Sequence, residues 1–222
     1  YADGAVVLAG RSFEESVVPY QPFVEALRQH LVDCDPGELE AEVPLAGRHN
    51  RMNATAAIAV AVESGIPEEI AVFGLKFVTP VRGRLFPLVT ETGMRVIDDS
   101  YNANPESVAA AIRVLTELGG NSVLVLGDLA ELGEDARGIH AVLGRVAREL
   151  GVNRLYTLGQ LSVAAAEEFG KGAQAYTQID ALVADLQRDA RSEDVILVKG
   201  SRSARMEQVV EALMQQQEEQ AC

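Results

Sequence analysis

Tryptophan is absent from these 222 residues, aromatic residues make up only 5%, and there are just two cysteines, Cys34 and Cys222. Two cysteines cannot form a disulfide framework, and they sit in no metal-ligand spacing. Basic residues are also few: Lys+Arg 19 against Asp+Glu 33 gives a net charge of −14. So acidic a surface repels phosphate backbones, which argues against a nucleic-acid-binding protein. A small anionic ligand remains open, because a site for it needs only a few local donors. No apolar run approaches the roughly 18 residues that span a bilayer. The start lacks a basic n-region followed by an apolar h-region, so no signal peptide is expected. Three signatures are missing as well: G-x-x-x-x-G-K-[ST], G-x-G-x-x-G after a strand, and G-x-S-x-G. Their absence argues against a phosphate-cradling P-loop, a dinucleotide dehydrogenase and a hydrolase elbow within these residues. Hydrophobic residues make up 48%, enough for a sizeable core. The expectation is a soluble, cytoplasmic, globular protein. The first residue is Tyr1 rather than Met, so a piece of something longer is expected.

Up to Thr79 the pattern is mainly helical. Ala5–Ala9 reads as a short strand, Phe23, Leu27 and Leu31 sit at helical spacing, Asp33–Gly37 reads as a turn, and Leu39–Leu45 alternates like an edge strand. An Ala-rich helix follows from about Asn50 to Ser64. Gly65 ends it, and Pro67 with Glu68 and Glu69 suits the start of a second, short helix. Beyond Thr79 the character changes. Arg84–Val89 and Met94–Asp98 flank Glu91-Thr92-Gly93 as a hairpin. Helices are expected with Val108, Ala111, Ile112 and Leu115 on one face, then Ile139, Val142, Leu143 and Val146, then Ile179, Leu182, Val183 and Leu186, and finally over Ala204–Met214. They alternate with strands at Ser122–Leu126, Arg154–Leu158, Ala173–Tyr176 and Asp194–Val198. Such alternation means βαβ units, an α/β fold and a mostly parallel sheet. The expected division is 1–78, with 1–45 unassigned, and 79–222 as a Rossmann-like domain.

Ligands of parallel sheets sit beyond the carboxyl ends of the strands. That rule selects Asp98–Asn104, Gly127–Glu134, Gly159–Gln160 and Lys199–Arg205. In the first loop, Asn104 is a natural N-cap before Pro105. Asp99 can accept hydrogen bonds from ribose hydroxyls, Tyr101 offers a flat face, and Asn102 an amide fork. Equally, Asp98 and Asp99 can simply make a turn. In Lys199-Gly200-Ser201-Arg202-Ser203, two cations and the backbone N–H groups of a following helix can hold a carboxylate or phosphate. The carboxylates of Asp128, Glu131 and Glu134 can orient an amine or a metal-bound water, or cap helices. His140 lies one residue from the apolar Ile139, and a lone His there is more often structural than catalytic. Asn50 and Asn53 share a helix face beside His49. Arg82 and Arg84 flank Gly83 at the domain boundary, where an arginine can reach a phosphate.

Five runs, in order, resemble the Mur ligases: Gly47-Arg48-His49-Asn50-Arg51-Met52-Asn53-Ala54; Pro80-Val81-Arg82-Gly83-Arg84-Leu85; Asp98-Asp99-Ser100-Tyr101-Asn102-Ala103-Asn104-Pro105; Gly127 to Gly133; and Lys199-Gly200-Ser201-Arg202, with Met206-Glu207 after it. The Tyr-Asn-Ala-Asn-Pro and Lys-Gly-Ser-Arg runs resemble the branch that adds D-alanyl-D-alanine to UDP-N-acetylmuramoyl-tripeptide. Position 86 is Phe where the family tends to carry Glu. The resemblance implies the tail of a central ATPase domain, then a whole C-terminal Rossmann-like domain, from an ADP-forming ligase of peptidoglycan precursor synthesis. That ligase makes an amide bond through an acyl phosphate. ATP and Mg²⁺ are implied cofactors, held mainly by a P-loop half with no counterpart here, so no turnover is expected from these residues alone. By resemblance, His49, Asn50, Asn53, Arg84 and Asp99 face ATP. Tyr101, Asn102, Asn104, Lys199, Ser201 and Arg202 line the substrate side, and no catalytic or metal-binding residue is assigned. Expected partners are the UDP-tripeptide and D-Ala-D-Ala, with no nucleic acid, no membrane span and a monomeric state. Two other readings stand beside this one: another amino-acid ligase of the superfamily, and a non-catalytic binding protein built on the same domain.

Overall fold

The computed structural model describes residues 5–7, 40–45, 47–90 and 93–219. The expected helix around Phe23, Leu27 and Leu31 and the turn at Asp33–Gly37 lie outside the described residues. The chain divides into two compact units, 1–79 and 80–222.

In the first unit, β1 (Ala5–Val7) pairs antiparallel with β2 (Glu40–Glu42). Two helices follow, α1 (Arg48–Glu63) and α2 (Glu68–Leu75). Gly47, at φ 96°, is the N-cap of α1, so the helix begins two residues earlier than its apolar pattern indicates. The buried cluster is small: Ala41, Val43, Ala54, Ile58 and Leu75.

The second unit carries a six-stranded sheet among the described residues. Its strands are β3 (Phe86–Val89), β4 (Arg95–Asp99), β5 (Asn121–Gly127), β6 (Arg154–Leu158), β7 (Ala173–Tyr176) and β8 (Asp194–Lys199), and their order across the sheet is β3-β4-β8-β5-β6-β7. The β3–β4 pair is the expected antiparallel hairpin, and the other four pairings are parallel. The connecting helices are α3 (Pro105–Glu117), α4 (Ala136–Glu149), α5 (Val163–Phe169), α6 (Ile179–Asp189) and α7 (Glu207–Glu219).

Strand side chains alternate between two faces. Ile97, Leu124, Leu126, Leu155 and Leu197 pack with residues of α3, α4 and α5. Their neighbours Val96, Val123, Val125, Tyr156 and Ile196 pack with residues of α6 and α7. Both faces are covered, which is why these strands read as continuous apolar runs. The helix after β4 covers one face and the helix after β8 the other. The two strands are neighbours, so the sheet has a switch point at their carboxyl ends, where such folds place ligands.

Two helical expectations need correction. The inward face of α4 is His140, Leu143, Gly144 and Ala147, while Val142 is about half exposed. An aliphatic count misses that face because a histidine and a glycine lie on it. The expected helix over Ala204–Met214 is broken: a 3₁₀ turn spans Arg202–Ala204, Arg205 is left-handed at φ 49°, and α7 starts only at Glu207. The Lys199-Gly200-Ser201 run therefore does not lead straight into a helix N-terminus.

Candidate functional site at the carboxyl edge of the sheet

Parallel register sets Asp99 opposite Lys199 at the ends of β4 and β8. The Lys199 ammonium donates to Asp99 Oδ2 at 2.7 Å and to the Asn102 carbonyl at 3.0 Å. Both side chains are largely buried. Removing one partner of such a pair leaves an uncompensated charge and costs several kcal/mol, about 3–5. Lys199 thus lies in the floor of the edge, bonded to the protein.

The two neighbouring aspartates hold the segment that enters β3. Asp98 Oδ2 accepts the Gly83 N–H at 3.0 Å, and Asp98 Oδ1 accepts the Ser100 N–H and hydroxyl. Asp99 Oδ1 accepts the Leu85 N–H at 3.1 Å. Gly83 sits at φ 77°, and a Cβ there would lie 3.0 Å from Tyr101 Cβ, so glycine is required on two grounds. Its carbonyl accepts the Tyr101 N–H. Arg84 projects outward, its guanidinium carbon 4.6 Å from the centroid of the Tyr101 ring. Tyr101 is about half exposed. The pair presents a cation on an aromatic plate to solvent. Arg82 lies over the Phe86 ring at 5.8 Å.

Asn102 Oδ1 accepts the Ala103 N–H. Asn104 caps α3 in a reciprocal capping box with Ser107, contributing about 1 kcal/mol. Both asparagines are exposed at the same loop.

The loops after β5, β6 and β8 meet at Asp128. Its carboxylate accepts the N–H groups of Gln160, Leu161 and Ser162. Its carbonyl accepts both the N–H and the hydroxyl of Ser201. Asp128 is thus a brace between loops. Ser201 is buried in that brace, while Arg202 is exposed, with Glu207 3.6 Å away. Gly127 and Gly200 let the two strand ends meet under Met206: a Cβ on Gly200 would lie 2.7 Å from Met206 Cγ.

His140 is fully buried. Leu129 N–H donates to Nε2 at 3.0 Å, so the ring proton sits on Nδ1, 2.7 Å from the Ala136 carbonyl. It is a structural staple beneath the 128–133 loop.

His49, Asn50 and Asn53 lie on α1 of the first unit. His49 and Asn50 are in its first turn and half-buried; Asn53, one turn on, is exposed. The second unit brings Arg84, Asp99, Tyr101, Asn102, Asn104, Lys199, Ser201 and Arg202 to one edge. Sequence reading missed Asp98 and Asp128 as braces; each lies beside a glycine-containing turn whose free N–H groups call for an acceptor. Among the described residues, no three or more His, Cys, Asp or Glu side chains cluster as metal ligands, and no helix is long and apolar enough to cross a membrane.

Residues 83–202 match the family model described as Mur ligase, glutamate ligase domain. The UDP-N-acetylmuramoyl-tripeptide–D-alanyl-D-alanine ligase of Escherichia coli (strain K12) is 40% identical over 181 residues, which are 81% of this chain and 40% of that protein. The enzyme of the same name from Bacillus subtilis (strain 168) is 36% identical, over 78% of this chain and 39% of its own length. A crystal structure of MurF from Acinetobacter baumannii superposes with a TM-score of 0.72 at 36% identity, over 80% of this chain and 40% of that one. A MurF from Thermotoga maritima, solved in complex with ADP, shares the fold at 24% identity and a TM-score of 0.73, over 82% of this chain and 42% of that one. The chain spans about 40% of the length of these relatives. With more than half of its residues matched by the family model, the chain belongs to the Mur ligase family.

Proposed function

We propose that these residues form the C-terminal part of an ATP-dependent, ADP-forming carboxylate–amine ligase of the MurF type. Its substrates are UDP-N-acetylmuramoyl-tripeptide and D-Ala-D-Ala, and it acts in the cytoplasm in peptidoglycan precursor synthesis. One observation carries this reading: the match to the D-alanyl-D-alanine ligase of Escherichia coli is longer than the second unit and so extends into the first, and the family match covers the loops at the carboxyl edge through residue 202. The first unit is read as the tail of the central ATP-binding domain, and 80–222 as the C-terminal domain.

The chemistry follows from the substrates. The tripeptide carboxylate attacks the γ-phosphorus of ATP, the bond to the bridging oxygen breaks, and ADP leaves. The dipeptide amine then attacks the acyl carbon and loses its proton, the C–O bond to phosphate breaks, and inorganic phosphate leaves. Mg²⁺, when bound with the nucleotide, offsets phosphate charge; the described residues form no site for it and no step here is assigned to it. Arg84 adds a fixed positive charge toward the phosphates, with Tyr101 as its plate. His49, Asn50 and Asn53 serve the adenine side. Arg202 faces the dipeptide carboxylate, while Asn102, Asn104 and Ser201 bound the pocket, the last as its buried wall. Such catalysis is largely positioning and charge neutralisation.

The test is ADP release by the full-length protein containing these residues, given ATP, the UDP-tripeptide and D-Ala-D-Ala. Release that requires the dipeptide supports the reading. Release driven instead by glutamate or another amino acid points to a sister ligase. Substrate binding without release, in a protein whose P-loop is intact, overturns the enzymatic reading.

A further inference from the structure

Arg84 is held from both sides. Gly83 before it and Leu85 after it both have positive φ, 77° and 50°. A leucine in the left-handed region is strained, and such strain persists only where surrounding contacts enforce it. Here the Leu85 side chain packs against the core, and its N–H is bound by Asp99 Oδ1. Asp99 is in turn bound through Oδ2 by Lys199. The same ammonium holds the Asn102 carbonyl, one residue from Tyr101. Both members of the Arg84–Tyr101 stack therefore hang on one buried cation.

We propose that Lys199 is a positioning residue for the Arg84–Tyr101 pair, acting on Arg84 through Asp99 and the Leu85 N–H and on Tyr101 through the Asn102 carbonyl. The inference rests on the reading that the pair meets nucleotide phosphate. It goes beyond that reading by moving Lys199 from the dipeptide to the nucleotide side of the reaction. Lys199 touches neither substrate; its effect is to keep the guanidinium where the phosphate charge develops.

A double-mutant cycle in the full-length ligase tests this. Arg84→Ala and Lys199→Met should each raise the ATP KM about tenfold and leave the dipeptide KM unchanged, and the double variant should be no worse than Arg84→Ala, because nothing is left to position. Multiplying effects, or a dipeptide KM that moves with Lys199→Met, overturn the proposal. If Lys199→Met does not fold, Lys199→Arg keeps a cation beside Asp99, displaces its donors and carries the same cycle. Amide hydrogen exchange gives a second readout that needs no turnover. Loss of Lys199 should speed exchange at Leu85 about tenfold while Gly83, held by Asp98, stays protected. Unchanged exchange at Leu85 overturns the positioning role itself. A wild-type protein that does not turn over ATP, yet shows the exchange effect, strikes only the proposed function.

Discussion

The two edges of the sheet use the same residue types to different ends. At the amino edge, where β4, β5, β6 and β8 begin, two arginines are bonded to the protein. Arg95 donates to the carbonyls of Leu118 and Gly119. Arg154 donates to the Asp189 carbonyl and is paired with the buried Asp194. Asn153 and Ser122 bond each other. At the carboxyl edge the aspartates and the lysine are also bonded to the protein, but Arg84 and Arg202 point outward. Arg84 has an aromatic ring for a neighbour, and Arg202 a glutamate at 3.6 Å. At the amino edge Arg95 and Arg154 are tied to backbone carbonyls and a buried carboxylate, while the carboxyl edge is braced beneath and leaves Arg84 and Arg202 on top. Exposed guanidinium over a rigid, hydrogen-bonded floor is the arrangement that binds anions without reorganising.

The contrast can be broken first at Asp194. Asp194→Ala strips a buried carboxylate from Arg154 and from the Arg191 N–H and should cost about 3 kcal/mol in urea or thermal unfolding. Neither substrate KM should move in the full-length ligase. If one does, the amino edge is not merely structural. The reverse experiment is Arg202→Ala, which should leave the melting temperature in place and raise the dipeptide KM about tenfold, the weight of one charge-assisted contact. A change confined to the ATP KM assigns Arg202 to the other substrate.

The smallest effect concerns pH. Burial and the nearby aspartates push the hydroxyls of Tyr156 and Tyr176 above the ordinary tyrosine range; Tyr176 donates to Asp185 and Tyr156 to Asp189. A group whose folded value is raised stabilises the fold below its unfolded value and loses that contribution as pH climbs. Stability should thus decline above about pH 10, and Tyr156→Phe with Tyr176→Phe should flatten the decline. An unchanged slope refutes the assignment.

Periodicity alone located β6 and β7 to the residue, and Asn104-Pro105 announced α3, because those signals are local. The pairing of Lys199 with Asp99 was not legible. The two are 100 positions apart, and only the strand order places them in register. The expectation for the 98–104 loop left ligand and turn as alternatives. In the structure Asp98 and Asp99 organise the backbone, and Tyr101 and Asn102 stay exposed. The break at Arg205 was hidden because an arginine in the left-handed region has no sequence signature comparable to glycine. On α4, His140 was judged by its apolar neighbour, yet it lies on the buried side because the Leu129 N–H and the Ala136 carbonyl satisfy both ring nitrogens.

The strand order has a consequence for synthesis. β8 is the last strand made among the described residues, yet it lies between β4 and β5, with all six residues buried. Until about residue 199 has emerged from the ribosome, the β3–β4 hairpin and the β5–β6–β7 group cannot be joined. For several seconds of elongation, at roughly 5–20 residues per second, the apolar flanks of both pieces stand open. A chain stopped short of β8 should therefore go to chaperones and proteases rather than persist as a smaller folded domain.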